Sequence, residues 1–288
     1  MRDFTYEWYP AEYDDLSKPI LKITKSSFGS YQWCPKKYEF SYPLRLPQDT
    51  SEPMIKGTVV HNSREAFFDE FDMDAAKDLS HSELIEYNMG LHPIDDYTDM
   101  YKSLAVFEAQ RFVTARKENT LHEYLPVINE IMLDAEITVG QYTNPNCILD
   151  RDYVVHLQGI IDRVFIQDGA YIPMEFKTGP WKDYKLTSMR KEMAFYKLLM
   201  ENASQDSLDA AGIDRDIPIS HWGWYYPASN YIQVEPVKKQ STTAVYRGMT
   251  QLIKSYEEQS FPEKYYYKTC AHCSFFPICE KAQAESWL

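Results

Sequence analysis

The chain has 288 residues, of which 44% are hydrophobic and 25% charged, with 10 glycines and a net charge of −13. That balance suits one large folded domain and excludes a disordered chain, a collagen-like repeat or a solenoid. No apolar run approaches the roughly 18 residues of a membrane helix, and Met1 to Pro10 lacks the basic and apolar blocks of a signal peptide, so a cytoplasmic protein is expected. The charge is unevenly placed. Between Asp69 and Asp99 ten acidic side chains are set against Lys77 alone, so this segment carries −9 and the remainder is nearly balanced. Such a body can still present a basic groove to a polyanion.

In chain order, Ser26 and Ser27 can cap a short helix that Pro35 interrupts just past Cys34. A second helix is predicted from Thr58 to about Phe71, with His61 and Glu65 sharing a face. Residues 72–124 read as a helical, acidic insertion in which Leu104, Phe107, Arg111 and Phe112 mark one amphipathic helix. Strands follow from Val127 to Val139, Tyr153 to Ile166 and Tyr171 to Lys177, the last two joined by a tight Asp168-Gly169 turn. An apolar helix from Leu186 to Met200 precedes a second hairpin, Ile219 to Tyr226 and Tyr231 to Val237. A helix from about Thr242 to Glu258 then leads to a tail rich in cysteine. The order predicts an α+β fold with a mixed central sheet flanked by helices.

Three strand residues carry candidate chemistry. Asp162 lies in Gly159-Ile160-Ile161-Asp162-Arg163, and Glu175-Phe176-Lys177 follows across the hairpin. Residues two apart on a strand share a face, so Glu175 and Lys177 project together, and the hairpin brings Asp162 alongside. Two carboxylates and an ammonium on an apolar sheet are costly without a task. Hard oxygen ligands suit Mg²⁺ or Mn²⁺, and a lysine there can stabilise phosphate charge or orient and deprotonate a water. Glu130, on the preceding strand, is a further acid that could face this patch.

The run from Gly159 to Lys177 resembles the active-site motif of the PD-(D/E)XK nucleases, in particular their RecB-like branch. Gly57-Thr58-Val59-Val60-His61 is similar to that branch's upstream histidine motif, and Glu192-Met193-Ala194-Phe195-Tyr196 to its helical Gln-x-x-x-Tyr, with glutamate replacing glutamine. The resemblance implies a restriction-endonuclease-like core in which Asp162, Glu175 and His61 hold the metal, the Phe176 carbonyl adds a ligand, and Lys177 is the catalytic lysine. Tyr196 and Glu192 then fall where substrate is contacted, with Arg190 or Lys191 placed to offset the Glu192 charge.

Cys270-x₂-Cys273-x₅-Cys279 has metal-ligand spacing, and Cys34 is the candidate fourth thiolate, ahead of Cys147 in its Asn144-Pro145-Asn146 turn. Four thiolates suit zinc or an iron–sulfur cluster, and spacing leaves both open. The arrangement is similar to that of AddB-type helicase-nucleases and CRISPR-associated RecB-like exonucleases, which implies a 4Fe–4S cluster stapling the chain ends. Trp222, Trp224, Tyr225, Tyr226 and Tyr265 to Tyr267 are candidates to stack bases, and Lys36, Lys37, Lys182, Lys185, Arg190 and Lys191 to track phosphates.

The expectation is one nuclease domain over residues 1–288, with the insertion at 72–124, the core sheet and helices at 127–258, and the cluster segment 265–288 paired with Cys34. By resemblance its substrate is single-stranded or free-ended DNA, cut exonucleolytically in a bacterial, archaeal or phage setting beside recombination, replication or CRISPR-adaptation proteins. The competing expectation is a non-cleaving nucleic-acid-binding or interaction module of the same fold, stapled by zinc or iron–sulfur.

Overall fold

The structure, a computed structural model, describes residues 21–48, 55, 58–59, 66–91, 98–266 and 270–285. Its centre is a mixed sheet of β1 (Leu21–Thr24), β2 (Ile128–Val139), β3 (Tyr153–Gln167), β4 (Ala170–Phe176), β5 (His221–Tyr226) and β6 (Tyr231–Pro236). The long β3 is the spine. Antiparallel β2 follows one of its edges almost throughout. The other edge is shared: β1 runs parallel beside Val155–Gln158, and β4 antiparallel beside Arg163–Gln167. Between them residues 159–162 have no described strand on that side, which leaves a notch in the sheet. β4 continues into β5 and β6, giving the order β1-β3-β4-β5-β6 with β2 on β3. The β3–β4 turn has Asp168 at φ 51° and Gly169 at φ 73°, the left-handed pair that a two-residue hairpin requires.

One face of the sheet is covered by α1 (Lys25–Trp33), α6 (Leu186–Asn202) and α8 (Lys239–Glu257). Phe28, Met193, Phe195, Leu199, Val245 and Met249 pack there on Leu157 and Ile161, and each fully buried side chain of this kind contributes roughly 1.5–3 kcal/mol. Gly159 is what lets α6 approach: a Cβ there would lie 2.9 Å from Leu199 Cδ1. The helix α1 starts through a capping box in which Thr24 is the N-cap and Ser27 reciprocates, so the cap falls earlier than the predicted serines. Cys34 ends α1, and α2 (Pro35–Ser41) restarts with Pro35 in its first turn, where a missing N–H costs nothing.

The described residues between 72 and 124 form α3 (Met73–Ala76), α4 (His81–Gly90) and α5 (Thr98–Glu118), then a 3₁₀ turn at Leu121–Glu123. This segment has its own apolar centre, Leu84 and Phe112 closing with Phe67, Phe71 and Tyr124. The other side of α5 lays Tyr101, Leu104 and Phe107 on Ile172, Met174 and Phe176 of β4, covering the second face of the sheet. Elements that escaped the sequence reading include the four-residue β1, too short to show a period, α2, and α7 (Gln205–Ala211), capped by Ser204 and ended by Gly212 at φ 66°. Among the described residues no helix is long and apolar enough to cross a membrane.

Candidate active site

The notch gathers the predicted acidic pair. Arg163↔Met174 is the last β3–β4 pair, so Asp162 and Glu175 are the facing residues where the two strands part. The backbone N–H of Phe176, which loses its ladder partner there, donates instead to Asp162 Oδ2 at 2.7 Å. Asp162 and Glu175 are 5% and 3% exposed, so both carboxylates are nearly dry. Glu130 falls between the 129↔163 and 131↔161 pairs, across β2–β3 from Asp162, and its φ of 53° breaks the strand there.

Glu175 is held from three sides. Lys177 Nζ donates to its Oε1 at 2.5 Å, Lys25 Nζ to both oxygens at 2.9 Å, and the Tyr196 hydroxyl to Oε2. Lys25 also donates to the Tyr196 oxygen at 2.5 Å and lies 4.8 Å from its ring centre. Lys177 reaches Glu192 Oε2 at 2.9 Å. Burial and Asp162 push the Glu175 carboxyl upward, but Lys177 and Lys25 prevail and hold it below its usual range. Burial opposes the Lys177 ammonium, yet Glu175 and Glu192 hold it well above the usual lysine range. Burial raises the Glu192 carboxyl despite Lys177, and burial with Glu175 beside it raises the Tyr196 phenol well above normal.

The PD-(D/E)XK nuclease superfamily, as a family model, matches residues 22–280. The chain belongs to that superfamily. A similar solved structure, described as "Crystal structure of SSO0001", shares 13% identity at a TM-score of 0.43, over 90% of this chain and 86% of that one. No curated protein matches.

This member of the superfamily has its predicted Asp162, Glu175, Lys177, Glu192 and Tyr196 in one connected group. His61, with Gly57 and Glu65 near it, lies outside the described residues. Lys25 was missed: it is the first residue of a helix after an unrecognised strand, and a lone lysine carries no pattern. Arg190 does not compensate Glu192. Its guanidinium grips Glu235 on β6 at 2.6 and 2.7 Å, and Lys177 takes the compensating place. Trp222, Trp224, Tyr225 and Tyr226 are buried in the core, so they are not base platforms. Tyr266 is exposed and Tyr265 half-buried, while Tyr267 lies outside the described residues. Of the lysines, Lys36 pairs with Glu39 and Lys185 bonds the Pro180 carbonyl.

At the far end of α1, Cys34, Cys270, Cys273 and Cys279 line one small cavity, walled by Phe40, Phe275 and Lys264. None of these four is in a disulfide, nor is Cys147, which lies elsewhere against the Thr250 carbonyl. Among the described residues no three His, Cys, Asp or Glu side chains converge closely enough to hold a single metal ion.

Proposed function

We propose that the chain is a metal-dependent deoxyribonuclease that hydrolyses phosphodiester bonds in single-stranded or free-ended DNA, working from an end. The observation that carries this reading is the meeting of Asp162, Glu175 and Lys177 in the notch. Two nearly dry carboxylates are hard oxygen donors and suit Mg²⁺ or Mn²⁺, the ions PD-(D/E)XK nucleases usually use. In this reading Asp162, Glu175, His61 and the Phe176 carbonyl hold the ion. A divalent ion bound there polarises the phosphate and lowers the pKa of a bound water.

The protein's own groups do the rest. Lys177, ion-paired with Glu175 and Glu192, offers positive charge to the phosphate. Tyr196 fixes the Glu175 carboxylate, and Glu192 fixes Lys177. Cys34, Cys270, Cys273 and Cys279 share one cavity, which supports a 4Fe–4S cluster there in this reading, with zinc as the alternative.

Glu192, where the related motif has glutamine, favours the second reading of a non-cleaving binding module, because it ties up Lys177. Protein purified without oxygen and given end-labelled single- and double-stranded DNA with Mn²⁺ or Mg²⁺ decides between them. Cleavage that disappears in Lys177→Ala supports the nuclease, and a ladder shrinking from one end supports exonuclease action. DNA bound but uncut by both proteins supports the module. Equal cleavage by both sinks the assignment of this site.

A further inference from the structure

A groove of about 710 Å³ runs between the α1–α2 side and the start of α6. Its lining includes Glu192, which touches Lys177. It also includes Trp33 and Lys37, which border the cysteine cavity as well. The groove therefore joins the notch to the cysteine cluster along one surface. Half of its lining residues are serine, threonine or glutamine.

Its charge sets it apart in a chain of −13. Glu192 is its sole described carboxylate, and that group is spent on Lys177. Lys37 and Lys191 line it with no carboxylate partner among the described residues; Lys37 rests 4.4 Å over the Trp33 ring. The groove on the α5 side, about 530 Å³, sets Glu118 and Glu123 against Arg111 and so repels a polyanion. Aromatic surface distinguishes the groove as well. Trp33 and Tyr42 are each 38% exposed and Tyr184 is 81% exposed, although such side chains usually go to the core. Tyr42 is stacked on buried Tyr38 at 5.1 Å and so is held flat. Exposed rings beside unpaired lysines suit unpaired bases on a phosphate chain, whereas the bases of a duplex are already stacked on each other.

We propose that this groove is the track for a single strand of nucleic acid. Trp33, Tyr42 and Tyr184 stack bases, Lys37 and Lys191 neutralise phosphates, and the strand runs from the notch toward the cysteine cluster. The assignment rests on the nuclease reading only in taking the notch as the place of cleavage.

The test is fluorescence anisotropy of a labelled oligothymidylate, and of a duplex of equal length, with the full chain in chelator. Tyr184→Ala and Lys191→Ala are compared with wild type, after thermal melts show them folded. Each weakens single-strand binding about fivefold or more, and together they weaken it more than tenfold. Lys191→Ala makes the slope of log K against log salt shallower by about 0.7, and Tyr184→Ala leaves the slope unchanged. Unchanged affinity in the double variant overturns the groove, as does failure of wild type to bind the strand. Duplex binding that is as tight, and equally sensitive to Tyr184→Ala, overturns the single-strand assignment. Parallel cleavage assays separate the two readings. Lys177-dependent cleavage with binding indifferent to the groove sinks the groove alone. Groove-dependent binding without cleavage sinks the nuclease alone.

Discussion

Replacing Lys25 with alanine should lower stability and raise metal affinity together, because one ammonium both anchors Glu175 and covers its oxygens. The Lys25 ammonium lies 2.9 Å from both oxygens of Glu175, a carboxylate only 3% exposed. At an effective dielectric near 20 the attraction is on the order of 4 kcal/mol, and most of it is offset by desolvation of the two charges. Lys177 and Tyr196 remain on Glu175 in the variant, so the carboxylate is not abandoned. The net loss is then about 1–2 kcal/mol, or a melting temperature lower by about 2–3 °C in chelator. Lys25 also occupies the oxygens that a divalent ion would need in the proposed reading. Its removal frees them, so calorimetric titration with Mn²⁺ should show tighter binding, and Mn²⁺ should raise the melting temperature more in the variant than in wild type. An identical Mn²⁺ increment in both proteins would refute the idea that Lys25 and the metal compete for Glu175.

Three further outcomes follow from other parts of the molecule. Gly159→Ala should cost about 1–3 kcal/mol in urea unfolding, because the new methyl would lie 2.9 Å from Leu199 Cδ1 and that core side chain would have to shift. Glu235 is held down to about 2: burial raises its carboxyl, and the bonds from Arg190, Lys238 and Trp222 more than reverse that. A carboxyl depressed in the fold adds stability above its unfolded value of 4.5 and loses it as pH falls toward 2, so Glu235→Gln should flatten the loss of stability over that window by about 2–3 kcal/mol. Cys34→Ser should remove iron and visible colour from anaerobic protein and destabilise it by up to about 5 kcal/mol, since the cluster would close a loop of more than two hundred residues; unchanged iron content would exclude Cys34 as a ligand.

Much of this protein was legible from short-range pattern. The Ile- and Val-rich runs marked β2 and β3 within a few residues, and Asp168-Gly169 marked the hairpin that leads into β4 and sets Asp162 across from Glu175. Alternation along a strand, and the left-handed demand of a two-residue turn, are local rules that neighbouring residues enforce. The same holds for Glu192 and Tyr196, four apart and hence on one side of α6.

What the tertiary structure alone decided is the company these residues keep. Lys25 becomes part of the site only because β1 lies on β3 in parallel and releases its helix at the notch, a pairing across more than a hundred residues. Trp222 and Trp224 are candidate base platforms in sequence, with core packing as the other use, and the fold packs both into the main apolar core on a face of the sheet. Trp33, Tyr42 and Tyr184 look unremarkable, yet they line the groove beside two lysines that the fold leaves without carboxylate partners among the described residues. Periodicity tells which way a side chain points relative to its neighbours in the chain; burial and ion pairing depend on long-range contacts, whose partners no local pattern encodes.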